Sequence, residues 1–326
     1  MLAVEGLNVR IASENGAFDV VSDMALSVAA GETVCIVGES GCGKSMTALA
    51  LLRLLPEAAS VAAGKIEIDG KDFLAMGQHQ VEDYRGEKIA MIFQEPLTAL
   101  NPVLTIGEQI AEGVRQHRKV GKKQAWARAV EVLKLVQMPD PARRATQYPH
   151  ELSGGMRQRA MIAMAMACNP KILIADEPTT ALDVTIQAQI FELMDRLKKE
   201  HGTAIMLITH GMGAVAELAD DVAVMYMGNI VEAGTVDEVL RNPVHPYTRA
   251  LLASIPVLGR GKNQDIHAIP GSTPDPFDRP SGCQFAPRCA FATEACNDMP
   301  DETHVTDTHR VMCWRYEEFA HAAAAQ

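Results

Sequence analysis

The run GESGCGKS at residues 38–45 constrains this chain more than any other stretch in it. It follows the β-branched segment ETVCIV (32–37) and precedes MTALALLRLL (46–55), so it falls between a predicted strand and a predicted helix. That is the context in which G-x-x-x-x-G-K-[ST] cradles phosphate. Glycines let successive backbone N–H groups converge on anionic oxygens, and a helix N-terminus favours negative charge. A lysine adds a point charge on the β- and γ-phosphate oxygens, and a hydroxyl can ligate Mg²⁺. Gly38, Ser40, Gly41, Cys42, Gly43, Lys44, Ser45 and Met46 are therefore the expected phosphate-binding residues, with Ser45 also an Mg²⁺ ligand. An ordinary glycine-rich turn is the competing reading.

A second element answers the first. KILIADEP (171–178) is an apolar strand ending in Asp176 and Glu177. Hydrolysis of a nucleoside triphosphate needs one carboxylate beside the metal and another that polarises the attacking water, the roles expected of Asp176 and Glu177. A strand ending in a solvated acidic turn would look the same in isolation. Gln94 and His210 close two further predicted strands, EKIAMIFQ (87–94) and AIMLITH (204–210), where contacts to a γ-phosphate are expected. KIEIDG (65–70) and DVAVMYMG (221–228) are β-like as well, while TIQAQIFELMDRLKKEHG (185–202) places Ile186, Ile190, Leu193 and Leu197 at helical spacing. Alternating strands and helices predict an α/β layer fold with a largely parallel sheet.

Length and charge narrow the function. A 326-residue chain that is 48% hydrophobic supports one large core and a smaller second unit. The net charge of −11 repels a phosphate backbone, so nucleic acid is not an expected partner. The start MLAVEGLNVR has no basic segment followed by an apolar one, and AMIAMAMAC (160–168) is far shorter than the ~18 residues of a membrane span. A cytoplasmic protein is expected. Four of the seven cysteines crowd the end, in a Pro/Gly-rich region beginning near residue 256, and in a reducing compartment such clusters more often bind metal than form disulfides.

ELSGGMRQR (151–159) stands directly before the acidic strand, and with it the set resembles the nucleotide-binding subunits of ATP-binding cassette (ABC) proteins over residues 2–256. The resemblance implies a P-loop NTPase cassette with a RecA-like core, a β-subdomain and a helical subdomain at about 95–165; the Pro/Gly-rich texture after it predicts a small cysteine-rich unit at 257–319, and AHAAAAQ a flexible tail at 320–326. It implies ATP and Mg²⁺, with Gln94 and Asp176 joining Ser45 at the metal. Glu177, His210 and Gln94 become the catalytic residues. Ser153, Gly154 and Gly155 would bind the γ-phosphate of ATP held by an opposing subunit, and Asp183 belongs to the ALD loop. Phe18 is the candidate for stacking on adenine, a core phenylalanine being the other reading. Met156 where glutamine is common, and Gly211 where aspartate is common, depart from the family pattern without removing a phosphate-contacting group.

Three stretches, FQEPLTALNPVLTIGEQI (93–110), DEPTTALDVTIQAQI (176–190) and HPYTRALLASIP (245–256), are similar to the ATPase subunits of dipeptide, oligopeptide and nickel importers. That implies a second, related cassette, two transmembrane permease subunits and an extracytoplasmic solute-binding protein as partners, with the chain lying peripherally on the cytoplasmic face of a bacterial inner membrane. Part of the segment after Gln94, among Leu97, Leu100, Val103, Leu104 and Ile106, would meet a permease; the rest would be core. In that branch the pattern Cys283-x5-Cys289-x6-Cys296-x16-Cys313 is associated with a 4Fe–4S cluster. Zinc and free thiols stay open, as do His304 and His309 as ligands. A soluble ABC ATPase acting on ribosomes or DNA, and a nickel importer, are the rival functions.

Overall fold

The computed structural model describes residues 1–179, 184–254 and 269–323, with side chains to residue 320. The chain forms two compact units, one of residues 1–3, 27–33 and 66–208, the other of the described residues among 4–26, 34–65 and 209–323.

In the first unit, strands Ile89–Ile92, Ile172–Asp176 and Ala204–Ile208 lie parallel, with Ile89 opposite Ile172 and Ile172 opposite Ala204. Every residue in them is buried, which is why they read as unbroken apolar runs rather than alternating ones. Helices Ile106–Arg118, Lys122–Leu135 and Gly154–Met166 pack on one another beside these strands. Thr105 caps the first of them by accepting from the Glu108 N–H, and Glu108 and Arg118 sit at the ends that suit their charges. The helix expected at 185–202 spans Val184–His201 and buries Ile190, Leu193, Met194 and Leu197.

In the second unit, Thr33–Val37 runs parallel to Asp221–Tyr226, which turns back antiparallel into Asn229–Thr235. The chain end then adds Arg310–Val311 antiparallel to Asn229–Thr235, with Glu232 opposite Val311, and finally Thr303–His304. A separate sheet sets Leu2–Ser13 between Gly16–Val28 and Ala59–Ile68. KIEIDG therefore belongs to that second sheet and not to the parallel one.

Two expectations about the chain end need correcting. The cysteine-rich segment does not stand as a unit of its own, because its strands complete the second unit's sheet. A small core holds it there: Val244, Val311 and Phe319 are buried together, with Val305, Cys313, Tyr316 and Ala320 packed against them. The segment expected as a tail from 320 begins inside a helix, Tyr316–Ala323.

Candidate nucleotide site and cysteine pocket

The phosphate loop lies in the second unit. Gly38 and Gly43 both have positive φ, and the backbone leaves them no room for a side chain. A Cβ would come within 2.2 Å of the Met225 carbonyl at Gly38 and within 2.5 Å of the Val20 carbonyl at Gly43. The Lys44 ammonium folds back over the loop, donating to the carbonyls of Gly38 (2.7 Å) and Glu39 (2.9 Å) and approaching the Cys42 sulfur at 3.7 Å. Helix Lys44–Leu51 starts here with Ser45 exposed and Met46 half-buried; Ser40 and Gly41 are exposed. Burial pushes the Cys42 thiol pKa up, so it stays a neutral loop filler. His210 is exposed just past strand Ala204–Ile208.

The acidic elements lie in the first unit. Asp176 ends its strand 3% exposed. Glu177 follows with φ of +46° and is held there by its N–H, which donates to the Ile208 carbonyl at 2.9 Å. A non-glycine residue in this region carries backbone strain. Gln94 and Glu177, 83 residues apart, meet: Gln94 Nε2 donates to Glu177 Oε2 at 3.1 Å. Ser153 is the N-cap residue of helix Gly154–Met166 but makes no capping bond with its side chain, and it and Gly154 are exposed. Gln158, one turn into that helix, donates to the Pro178 carbonyl at 2.5 Å. This bond fastens the SGGMRQR helix to the turn carrying Glu177. Sequence reasoning passed over Gln158, although it sits inside the diagnostic run.

Two expected residues fare differently. Phe18 is half-buried and packs edge-on against Phe277, ring centroids 4.9 Å apart. Asp183 lies outside the described residues. Of the apolar residues after Gln94, Leu100 and Ile106 are core at 4% and 1% exposure, whereas Leu97 and Val103 stand out at 66% and 75%.

The four late cysteines line one cavity together with Phe285, Phe291, His245, Pro246, Trp314 and Arg315. Gly282 makes this convergence feasible: a Cβ there would strike the Asn297 carbonyl carbon at 2.3 Å, and the close approach lets the Cys283 N–H reach the Cys296 carbonyl at 3.0 Å. Backbone N–H groups two residues on point at three of the sulfurs, from Phe291 to Cys289 and Arg315 to Cys313 at 3.4 Å each, and from Phe285 to Cys283. The Thr293 hydroxyl lies 3.8 Å from the Cys296 sulfur. Burial raises the thiol pKa values of Cys283, Cys289 and Cys313, the last to about 11. Among the described residues, no group of three or more His, Cys, Asp or Glu side chains is placed to hold a single metal ion. His309 does not belong to the cavity: its Nε2 pairs with buried Glu232 at 2.8 Å.

A family model described as ABC transporter matches residues 21–180, and one described as oligopeptide/dipeptide transporter, C-terminal region, matches residues 231–296. A putative peptide import ATP-binding protein of Brucella abortus is 50% identical over 98% of this chain and 98% of its own length. This chain belongs to the ABC transporter family. Within that family it stands in the oligopeptide/dipeptide branch, as the stretches 93–110, 176–190 and 245–256 implied. The oligopeptide transport ATP-binding protein OppD of Bacillus subtilis is 48% identical over 96% of this chain and 88% of OppD. DppD of the same organism, a dipeptide transport ATP-binding protein, is 45% identical over 99% and 97%. Among solved structures, the ATP-binding cassette MJ0796, dimeric in a post-hydrolysis state with ADP and Pi, superposes with a TM-score of 0.66 at 26% identity over 72% of this chain and 99% of MJ0796. The cassette fold is thus mixed α/β of the P-loop NTPase type. Among the described residues, no helix is long and apolar enough to cross a membrane.

Proposed function

We propose that this ABC cassette is the ATP-hydrolysing subunit of a bacterial importer of di- or oligopeptides. The observation that carries the reading is the Gln94–Glu177 hydrogen bond, because it ties the residue placed to polarise water to the head of a segment that exposes Leu97 and Val103. Among the described residues no helix is long and apolar enough to cross a membrane, and an exposed apolar pair on that segment is suited to receive a permease. The names of the OppD and DppD relatives support peptide as the cargo.

In this reading the N–H groups of Gly38, Ser40, Gly41, Cys42, Gly43, Lys44, Ser45 and Met46 and the Lys44 ammonium hold the triphosphate of ATP, and Lys44 exchanges its loop carbonyls for phosphate oxygens. Ser45 and Asp176 supply hydroxyl and carboxylate oxygens, the donor chemistry Mg²⁺ takes, with Gln94 beside them in sequence role. Bound Mg²⁺ would neutralise charge developing on the phosphates. Glu177 accepts the proton of the attacking water, and His210 contacts the γ-phosphate. Ser153, Gly154 and Gly155 close on ATP held by a second cassette, a related subunit, and Asp183 of the ALD loop is read as a further nucleotide-binding residue. Two permease subunits and an extracytoplasmic solute-binding protein complete the assembly, which sits on the inner face of the plasma membrane. Residues 1–256 form the cassette and 257–319 its importer-type extension.

We also assign Cys283, Cys289, Cys296 and Cys313 to a 4Fe–4S cluster. The fit rests on four thiols lining one apolar cavity, on N–H donors directed at the sulfurs of Cys283, Cys289 and Cys313, and on the Thr293 hydroxyl beside Cys296. When bound, the cluster would supply a cross-link between distant parts of the extension; Arg315 beside the cavity would offset its negative charge.

The test is reconstitution in vesicles with the partner cassette, two permeases and the solute-binding protein. ATP-driven uptake of labelled di- or oligopeptide supports the reading; uptake of nickel and not peptide, or ATP turnover indifferent to the permeases, overturns it.

A further inference from the structure

Glu39 occupies one of the variable positions of the phosphate loop, and a carboxylate there faces a difficulty: the loop exists to attract a polyanion. The structure shows what answers it. Arg288, 249 residues away in the chain extension, grips both oxygens of Glu39, Nη1 to Oε2 at 2.6 Å and Nη2 to Oε1 at 3.0 Å. The Arg288 side chain is 4% exposed and Glu39 30%. Arg288 is itself fixed, donating from Nε to the Pro270 carbonyl at 2.9 Å and from Nη1 to the Tyr226 hydroxyl at 3.4 Å. The Glu39 backbone is held as well: its N–H donates to the Tyr247 hydroxyl at 2.9 Å, and its carbonyl accepts from Lys44. Tyr226, Tyr247 and Phe285 pack against one another behind these bonds, centroids 4.7–5.3 Å apart.

We propose that Arg288 is a positioning residue for ATP binding, neutralising and pinning Glu39 so that the loop presents only donors and positive charge to the triphosphate. The proposal rests on the ATP reading given above. Its physical content is specific. A forked guanidinium matches a carboxylate at two points, fixing orientation as well as cancelling charge. Without it, Glu39 is a negative charge inside a polyanion site where water screens poorly, so the damage from losing Arg288 is done by Glu39 and disappears with it. Arg288 does not touch the reacting atoms, so it governs affinity and not the chemical step.

The test measures binding of a fluorescent ATP analogue, with Mg²⁺, to the full chain and to Arg288→Ala, Arg288→Lys, Glu39→Gln and the double variant Arg288→Ala/Glu39→Gln. Arg288→Ala should weaken binding roughly tenfold, Arg288→Lys less because the charge stays, and Glu39→Gln alone by about twofold or less. The double variant should regain most of the lost affinity. In the reconstituted transporter KM for ATP should rise while kcat stays within about twofold. Wild-type affinity in Arg288→Ala overturns the proposal, and so does a double variant as weak as the single one, since that marks Arg288 as scaffold only. If Arg288→Ala does not fold, Arg288→Gln carries the same comparison, since its amide can still donate to Pro270. Failure of the unaltered chain to bind the analogue would instead strike the ATP reading.

Discussion

Replacing Glu232 by alanine should detach the chain extension from the sheet at a cost that the structure allows to be worked out. Glu232 is fully buried, and its carboxylate accepts from the Val244 N–H at 2.7 Å, the His245 N–H at 3.1 Å and His309 Nε2 at 2.8 Å. Hydrogen bonds to a charged group contribute about 1.5–3 kcal/mol each, and removing one member of a buried, bonded pair costs about 3–5 kcal/mol as a whole because the contributions are not additive. Glu232→Ala should therefore destabilise the second unit by about 3–5 kcal/mol. At roughly 2 °C per kcal/mol for a chain of this size, the Tm of the purified chain should fall by about 6–10 °C in a thermal scan. Glu232→Gln keeps one acceptor oxygen and should lose about half as much. Hydrogen exchange should locate the loss, with the amides of Val244, His245 and Met312 deprotected first. A Tm within about 1 °C of wild type in Glu232→Ala would show that the three donors find water or other acceptors readily, and the reasoning from buried pairing would be refuted.

Three more outcomes are expected. Glu177→Gln, combined with the matching change in the partner cassette, should cut ATP turnover by about 10²–10⁴-fold and leave ATP affinity nearly unchanged, because the amide keeps the shape and loses the base; turnover at the wild-type rate would remove Glu177 from the catalytic role. Buried His245 uses Nδ1 to accept from the Tyr247 N–H at 3.0 Å, and burial lowers its pKa to about 4. A depressed histidine pKa means that the unfolded chain binds the extra proton between about pH 6.5 and 4, so stability is complete above 6.5 and falls by about 3 kcal/mol across that window on acidification; His245→Asn, which can cap without titrating, should flatten the Tm–pH profile there. Cys313→Ser should abolish the brown colour and iron of anaerobically purified protein, and retention of about four irons per chain would overturn the four-cysteine ligand set.

What could be read in the sequence, and what could not, follows from how far each signal reaches. The phosphate loop and the strand ending in Asp176 are local: every determinant lies within ten residues, so the fold had only to supply context. Helix Val184–His201 is legible because its apolar residues, from Ile186 to Leu197, keep one period for about three turns. Strands Leu2–Ser13 and Gly16–Val28 were missed although both alternate, since Leu2 and Val4 face the core and then Leu7 and Val9 do, the register slipping by one at Gly6 with φ of +57°. Asp23, at φ of +45°, interrupts the partner strand in the same way. An inserted residue of this kind inverts the pattern that defines a strand. Helix Gly154–Met166 hides for another reason: small and sulfur-bearing side chains surround it on most sides, leaving no polar stripe to mark a period. Arg288 and Gln158 were invisible because neither means anything until the residue it grips is brought beside it.

The pairing of Arg310–Val311 with Asn229–Thr235 has a consequence for the order in which the molecule can be made. About 75 residues separate the two strands, so at ~5–20 residues per second a growing chain displays the open edge of Asn229–Thr235 for about 4–15 s before its cover is synthesised. That edge is seven residues long and six of them are buried in the finished fold, which makes it a ready template for pairing with another chain. The two-residue strand Thr303–His304 that finally occupies the rim is too short to recruit a neighbour in its turn. Ribosomes that stall or terminate before residue 311 should therefore release a chain whose nucleotide loop is already encoded but whose sheet is still adhesive. Overexpressed truncations ending between residues 254 and 300 should collect in the insoluble fraction, for want of a strand rather than for want of a catalytic group.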